Sequence, residues 1–108
     1  MTVQRGDKDL IVTGDFGDDY VSPAISMDGC VFASIHIHTL GNAAGSLEVQ
    51  VSNDGKNYVT LSDLNTTIAD TDDQIFLDVR THAGHVRIKF THTSGSSQAG
   101  VAMIAKEQ

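Results

Sequence analysis

The sequence predicts an all-β protein, folded as an antiparallel β-sandwich of jelly-roll-like form with about eight short strands. Apolar and polar residues alternate with a period of two in four separate segments, which is typical of strands with one buried face. Turn-forming residues separate these segments at short intervals. The length of 108 residues suits one domain. We therefore expect residues 1–108 to form a single sandwich domain, with residues 1–8 as a flexible N-terminal arm.

The first third of the chain contains three predicted strands. A short apolar run over residues 9–13 predicts the first, and an extended segment around Pro23, residues 20–26, predicts the second. Residues 31–38 alternate strictly and predict a long third strand. Gly29 follows an aspartate and marks the turn before that strand.

A β-hairpin is predicted in the middle of the chain. Residues 47–52 alternate, and residues 57–61 form a second β-type run. Asp54 and Gly55 lie between them, and a glycine supplies the positive φ that a tight turn requires. We expect residues 46–52 and 57–61 to pair as antiparallel strands.

The last third of the chain predicts four further strands and no helix. Residues 66–69 form a short run, residues 75–80 and 86–91 alternate strictly, and residues 100–106 form a mostly apolar terminal strand. A helix after residue 62 is disfavoured because Asn65 and Thr66 are poor helix formers.

The strict alternation assigns one side of each strong strand to the core, since a shift of one residue would turn the whole set outward. The predicted core consists of Val31, Ala33, Ile35, Ile37, Leu47, Val49, Val51, Ile75, Leu77, Val79, Val86, Ile88 and Phe90. Cys30 is the single cysteine, so no internal disulfide can form, and we expect it to pack as a small apolar residue.

The net charge is −7 and is unevenly distributed. Residues 1–73 have a balance of −9, whereas residues 74–108 have a balance of +2. An acidic surface repels phosphates, so we expect no nucleic-acid partner. The asymmetry is typical of a solubilising surface, and it also permits docking between identical chains. Candidate contact residues for such docking are Asp70, Asp72 and Asp73 on the acidic side and Arg87 and Lys89 on the basic side.

Two histidines form the best candidate for a metal site. His36 and His38 are two residues apart on a predicted strand, so both side chains leave the same face. His92 or His85 could supply a third ligand from a neighbouring strand. No cysteine or carboxylate pattern completes the set, so we expect neither a metal nor a cofactor.

Two acidic turns invite comparison with calcium loops. Residues 15–19 and 70–73 are rich in aspartate, but neither has the spacing of an EF-hand. The alternative is a solvated turn, since aspartate forms local hydrogen bonds to the backbone. The chain also lacks the nucleophile-elbow, zinc-protease, P-loop and dinucleotide-binding motifs, so we expect no enzyme activity. No apolar run is long enough to predict a membrane span.

Three segments carry a resemblance to a known group of proteins. Residues 45–58, G-S-L-E-V-Q-V-S-N-D-G-K-N-Y, resemble a hairpin of small bacteriophage virion proteins. Residues 85–91, H-V-R-I-K-F-T, resemble a strand of the same proteins, and S-G-S-S at 94–97 followed by a strand ending in A-K resembles their closing segment. The resemblance implies a structural subunit made in the host cytoplasm and located in the virion: a capsid, decoration, spike or tail-associated protein without catalytic residues.

The expected partners follow from that resemblance. Virion subunits are usually symmetric oligomers, so we expect a closed homo-oligomer, such as a trimer, or docking onto other virion proteins. The alternative function is a module that binds carbohydrate or another ligand. That alternative requires an exposed aromatic platform, and the chain has no tryptophan and only six aromatic residues.

Overall fold

The computed structural model describes residues 8–27, 29–68 and 73–106. Residues 1–7, most of the predicted N-terminal arm, lie outside the described residues. The described residues form one 3-10 helix (Ser62–Leu64) and ten strands: β1 (Lys8–Asp15), β2 (Tyr20–Val21), β3 (Ile25–Ser26), β4 (Phe32–Gly41), β5 (Ala44–Ser52), β6 (Val59–Thr60), β7 (Thr66–Ile68), β8 (Asp73–Arg80), β9 (His85–Ser94) and β10 (Ser97–Lys106).

The strands form two antiparallel sheets, which confirms the predicted sandwich. The four-stranded sheet has the order β1-β10-β4-β8. The six-stranded sheet has the path β2-β9-β5-β6, with β3 also pairing β9 and β7 also pairing β5. Strands β2 and β3 both pair β9, and β6 and β7 both pair β5, so each pair can be regarded as one interrupted strand. The sandwich then has eight strands, as predicted, and their order in the two sheets is that of a jelly roll.

Each interruption has a local cause. Between β2 and β3, Pro23 has no N–H to donate to a ladder. The neighbouring Ser22 compensates: its N–H donates to the carbonyl of Ile88 at 3.0 Å, and its Oγ accepts from the Ile88 N–H at 3.0 Å. Between β6 and β7, the chain forms the 3-10 helix Ser62–Leu64 in the stretch where no α-helix was predicted.

The predicted alternation is confirmed in the core. Ten of the thirteen predicted core residues are buried, in the predicted phase. Val31, Val51 and Leu77 are only half-buried, because they lie at the margins of the sheets. Val31 precedes β4, Val51 pairs with Val59 of the short strand β6, and Leu77 belongs to the edge strand β8.

The sequence analysis missed part of the core. Phe16, which was assigned to a turn, is fully buried and stacks on Phe90 with ring centroids 4.1 Å apart. The terminal strand β10 contributes Ala99, Val101 and Met103. Cys30 is buried, as predicted. No described helix is long and apolar enough to cross a membrane.

The predicted hairpin is confirmed. Strand β5 pairs with β6, with Gln50 opposite Thr60, and Gly55 has the required positive φ of 72°. The Asp54 carboxylate closes the turn by accepting the N–H groups of Lys56 and Asn57, each at 2.8 Å. These hydrogen bonds hold the pKa of Asp54 well below its usual range, with the bond from Asn57 as the largest cause.

Candidate functional site

The outer surface of the four-stranded sheet, termed here the four-stranded face, is the candidate site. Its outward positions form five rows across the strands. From one end to the other, the rows are Lys106, Phe32 and Arg80; Ile104, Ser34 and Asp78; Ile11, Ala102, His36 and Phe76; Thr13, Gly100, His38 and Gln74; and Asp15, Gln98 and Leu40.

The middle row of the four-stranded face carries an exposed apolar side chain at each of its two edges. Ile11 is 79% exposed and Phe76 is 65% exposed, and both belong to the third row. Ile104 of the second row is 38% exposed. A single exposed apolar residue is ordinary on a protein surface, whereas several exposed apolar residues on one face indicate an interaction surface.

Gly100, in the fourth row, has an outward Cβ position that is open to solvent. A side chain added at Gly100 would meet no atom within 4 Å. The positive-φ glycines among the described residues are Gly29, Gly41, Gly55 and Gly95, so the backbone conformation does not require glycine at position 100. A glycine inside a strand weakens the strand and often marks a place where another group approaches closely.

The candidate metal ligands do not converge. His36 and His38 share the four-stranded face, as their spacing predicted. His92 lies on β9 of the other sheet, where its ring Nε2 is 2.8 Å from the carbonyl oxygen of Gly95. His85 also belongs to β9. Within the described part of the chain, no three His, Cys, Asp or Glu side chains are grouped as a metal site would require.

The first acidic turn uses its carboxylates to hold the backbone. Asp15 Oδ1 accepts the N–H of Gly17 at 2.8 Å, and Asp19 Oδ1 accepts the N–H of His92 at 2.8 Å. The bond from His92 ties the turn after β1 to strand β9. In the second acidic turn, residues 70–72 lie outside the described residues.

The outer surface of the six-stranded sheet, termed the six-stranded face, has the opposite character. The guanidinium carbon of Arg87 lies 3.7 Å from the centre of the Tyr58 ring, and Arg87 Nε donates to Gln50 Oε1 at 2.9 Å. Gln50 Nε2 donates to Thr60 Oγ1 at 3.3 Å, and Thr60 Oγ1 donates to Glu48 Oε1 at 2.8 Å. The polar groups of this face therefore bond to one another.

The predicted contact charges are separated in the fold. Arg87 and Lys89 lie on β9, and Lys89 is opposite Glu48 across the ladder. Asp73 begins β8 in the other sheet. Asp70 and Asp72 lie outside the described residues. The basic pair and Asp73 therefore belong to different sheets.

The exposed apolar residues were not predicted as a site, although the sequence contains a signal for them. Phe76 lies between Ile75 and Leu77, and Ile104 lies between Met103 and Ala105. When three consecutive strand residues are apolar, the two flanking residues point into the core and the middle one points outward, into solvent. The sequence does not indicate whether Ile11, Phe76 and Ile104 share one face, because strands distant in the chain supply them.

Comparison with solved structures shows the fold in other proteins. No protein-family model matches the chain, and no curated protein matches its sequence. The prophage-derived protein YomS of SPBc2 matches with a TM-score of 0.57 and 10% identity, over 95% of this chain and 99% of that chain. A protein of Bacillus endospore appendages, described as a novel family of disulfide-linked pili, matches with a TM-score of 0.52 and 14% identity, over 98% of this chain and 93% of that chain.

These two matches concern the whole sandwich, since they extend over nearly the full length of all three chains. At 10% and 14% identity they establish the fold alone. The chain thus shares its architecture with one prophage-derived protein and with one subunit of a pilus.

Proposed function

We propose that the chain is a non-enzymatic structural subunit that assembles with copies of itself, in a phage particle or in a related appendage. The observation that carries this proposal is the pair of exposed apolar side chains in the middle row of the four-stranded face, where Ile11 and Phe76 are 79% and 65% exposed. Burial of these side chains against another chain removes apolar surface from water, which favours association.

The fold matches support the same proposal. One matched protein comes from a pilus, and the other is encoded by a prophage. Within a phage particle, the roles implied by the S-N-D-G-K-N hairpin are capsid, decoration, spike or tail-associated subunit. A closed homo-oligomer, of which a trimer is one arrangement, and docking onto a larger shell are both assemblies of this kind.

Covalent linkage between subunits is not part of the proposal. The matched pili are described as disulfide-linked, whereas this chain has one cysteine. Cys30 is 4% exposed and belongs to the hydrophobic core. Assembly through noncovalent contacts between folded chains therefore fits the buried position of Cys30.

Carbohydrate binding is the second candidate function, and one observation favours it. Phe76 is largely exposed, and the His36 ring lies beside it with ring centroids 5.9 Å apart. The other five aromatic side chains are buried or half-buried, and one face of the Tyr58 ring is covered by Arg87. A single exposed ring is a small stacking platform, so self-assembly is the stronger proposal.

Sedimentation velocity over a wide range of protein concentration, at low and high salt, tests the proposed function. We expect the mass to rise with concentration to a multiple of the 11.5 kDa chain. Salt screens contacts between surface charges, so high salt is expected to slow assembly without abolishing it. A monomer at every concentration and salt level, together with no binding to purified virus shells, would contradict the proposal. A chemical shift change of the Phe76 ring on titration with sugars would then favour the carbohydrate module.

A further inference from the structure

We propose that two copies of the chain pack four-stranded face to four-stranded face, around a two-fold axis that runs across the strands through the third row. This inference rests on the proposed function, because it identifies the surface through which copies associate. In this arrangement the third row of one copy, with Ile11, Ala102, His36 and Phe76, lies against the same row of the other copy. The first row faces the fifth, and the second row faces the fourth.

The apolar row is positioned for self-contact. It is the middle of five rows, so an axis through it superimposes the whole face on the face of the other copy. Ile11 and Phe76 lie in the row along which the axis runs, so each meets its own counterpart in the other copy. An interface between identical surfaces of this kind is the commonest one in soluble homo-oligomers.

The distribution of charge selects the direction of the axis. The first row carries the cations Arg80 and Lys106. The opposite end of the face carries Asp15, and the turn that follows it adds Asp18, both exposed. An axis across the strands places the cationic end of one copy against the anionic end of the other. An axis along the strands would place the two cationic ends against each other. Complementary charges fix the orientation of an interface and add little affinity.

Two outward residues of β10, Ile104 and Gly100, support the same axis. Strand β10 runs through the interior of the sheet and carries both Ile104 in the second row and Gly100 in the fourth. Because the second row faces the fourth, Ile104 of one copy lies over Gly100 of the other. Ile104 protrudes, and no atom lies within 4 Å of the place where a Gly100 side chain would be. The symmetry forms this contact twice and accounts for a glycine inside a strand.

The size of the face sets the expected strength. Four strands spaced by about 4.8 Å and nine residues of about 3.3 Å each give a flat area of roughly 500 Å². The relief of the side chains increases the area that a partner covers. Interfaces that bury roughly 600 Å² per partner lie at the low end of specific protein contacts. We therefore expect a dimer that dissociates on dilution, from which larger assemblies are built through other surfaces.

A matched pair of variants tests the interface. Phe76 and Val59 are 65% and 66% exposed, and both lie on edge strands, but Val59 belongs to the six-stranded sheet. We expect Phe76→Asp to raise the dimer dissociation constant at least about tenfold, because the axis places two carboxylates against each other in an apolar contact. Val59→Asp is expected to leave that constant within about twofold of the parent value. Sedimentation equilibrium measures both, and far-UV circular dichroism checks that each variant is folded.

Each result bears on the proposal. If Phe76→Asp dimerises like the parent, the four-stranded face is not the interface, although the proposed self-assembly still holds. If Val59→Asp dissociates the dimer instead, the six-stranded sheet forms the contact. If the parent is a monomer at every concentration, a second copy is excluded as the occupant, and the proposed function fails with it if purified virus shells do not bind the chain either.

A charge swap tests the axis. Lys106 of one copy lies near Asp15 of the other when the axis runs across the strands. We expect Lys106→Glu and Asp15→Lys each to weaken the dimer by about two- to fivefold, the range of an exposed ion pair. The double variant is expected to restore the parent dissociation constant. Failure of the double variant to recover would overturn the proposed axis.

Discussion

On the six-stranded face, the outward side chains bond to one another, from Arg87 through Gln50 and Thr60 to Glu48. On the four-stranded face, the corresponding region carries Ile11 and Phe76, which extend into solvent. The two faces belong to the same sandwich and enclose the same core. One face bonds its polar side chains to one another, whereas the other leaves apolar side chains exposed to solvent.

The contrast shows where a small sandwich can place an interaction surface without loss of its fold. The inward phase of each strand builds the core, so the outward phase is available for other purposes. Gln50 is 8% exposed although it points outward, because its neighbours on the six-stranded face cover it. Phe76 is 65% exposed in the equivalent phase of β8. Burial on an outer face therefore depends on the neighbours across the ladder as well as on the residue.

Substitutions in the core are expected to lower the free energy of unfolding most. The loss is expected to be similar in the two sheets. Ile35 lies under the four-stranded face and Ile88 under the six-stranded face, and both are fully buried. We expect Ile35→Ala and Ile88→Ala each to lower the free energy of unfolding by about 2–5 kcal/mol. Denaturant unfolding followed by circular dichroism measures the loss. Parent-like stability of both variants would mean that the inward phase is wrongly assigned.

Two glycines, one in each sheet, sharpen the comparison. A side chain at Gly45 would clash with the Thr91 carbonyl oxygen and with the Phe90 ring, whereas one at Gly100 would meet nothing within 4 Å. We expect Gly45→Ala to destabilise the fold by about 1–3 kcal/mol through overpacking. Gly100→Ala is expected to leave the fold unchanged or to stabilise it by about 0.5–1 kcal/mol. Thermal unfolding of the two variants at low protein concentration compares them. Equal losses would mean that Gly100 has a structural role within the chain.

A pair of glutamines compares the two faces directly. Gln50 belongs to the hydrogen-bond network of the six-stranded face, while Gln98 is exposed on the four-stranded face. We expect Gln50→Leu to cost about 1–3 kcal/mol, because Arg87 and Thr60 each lose a hydrogen-bond partner. Gln98→Leu should change the free energy of unfolding by less than about 0.5 kcal/mol. If Gln50→Leu proves neutral in urea unfolding, the network is not what stabilises the six-stranded face.

The hairpin at the end of the six-stranded sheet is expected to respond to acid. Hydrogen bonds from the turn lower the pKa of Asp54 in the folded chain below the usual value of about 3.9. The ionised carboxylate therefore stabilises the fold at neutral pH, and that contribution is lost as the pH falls below about 4. Asp54→Asn is expected to be less stable than the parent at pH 7, with a difference that shrinks toward pH 2. Melting temperatures across this range test it, with Asp63→Asn as a control for the lost charge.

Metal is expected to have no effect on either face. His36 and His38 lie on the four-stranded face and His92 belongs to the other sheet, so three imidazoles cannot meet at one ion within a chain. Elemental analysis of protein purified without a histidine tag should find no stoichiometric zinc, nickel or copper. One equivalent of any of these metals would contradict the expectation and point to ligands shared between copies.

The sequence alone predicted the all-β class, the hairpin at Gly55 and most of the core. These features depend on local physics: the period of two assigns side chains to alternate faces, and glycine supplies the positive φ of the turn. The same local patterns placed Phe16 in a turn, because its burial depends on the ring of Phe90 from a distant strand.

The candidate site was decided only by tertiary structure. Ile11, Ile104 and Phe76 come from β1, β10 and β8, and the pairing of strands far apart in the chain brings them to one face. The same pairing separates His36 from His92 and places Gln50 under Arg87. Alternation determines which side of its own strand a residue occupies, but the order of strands in a sheet determines which residues lie beside it. Hydrogen bonding between distant segments and the packing of all strands around one core determine that order. A short stretch of sequence contains neither kind of information.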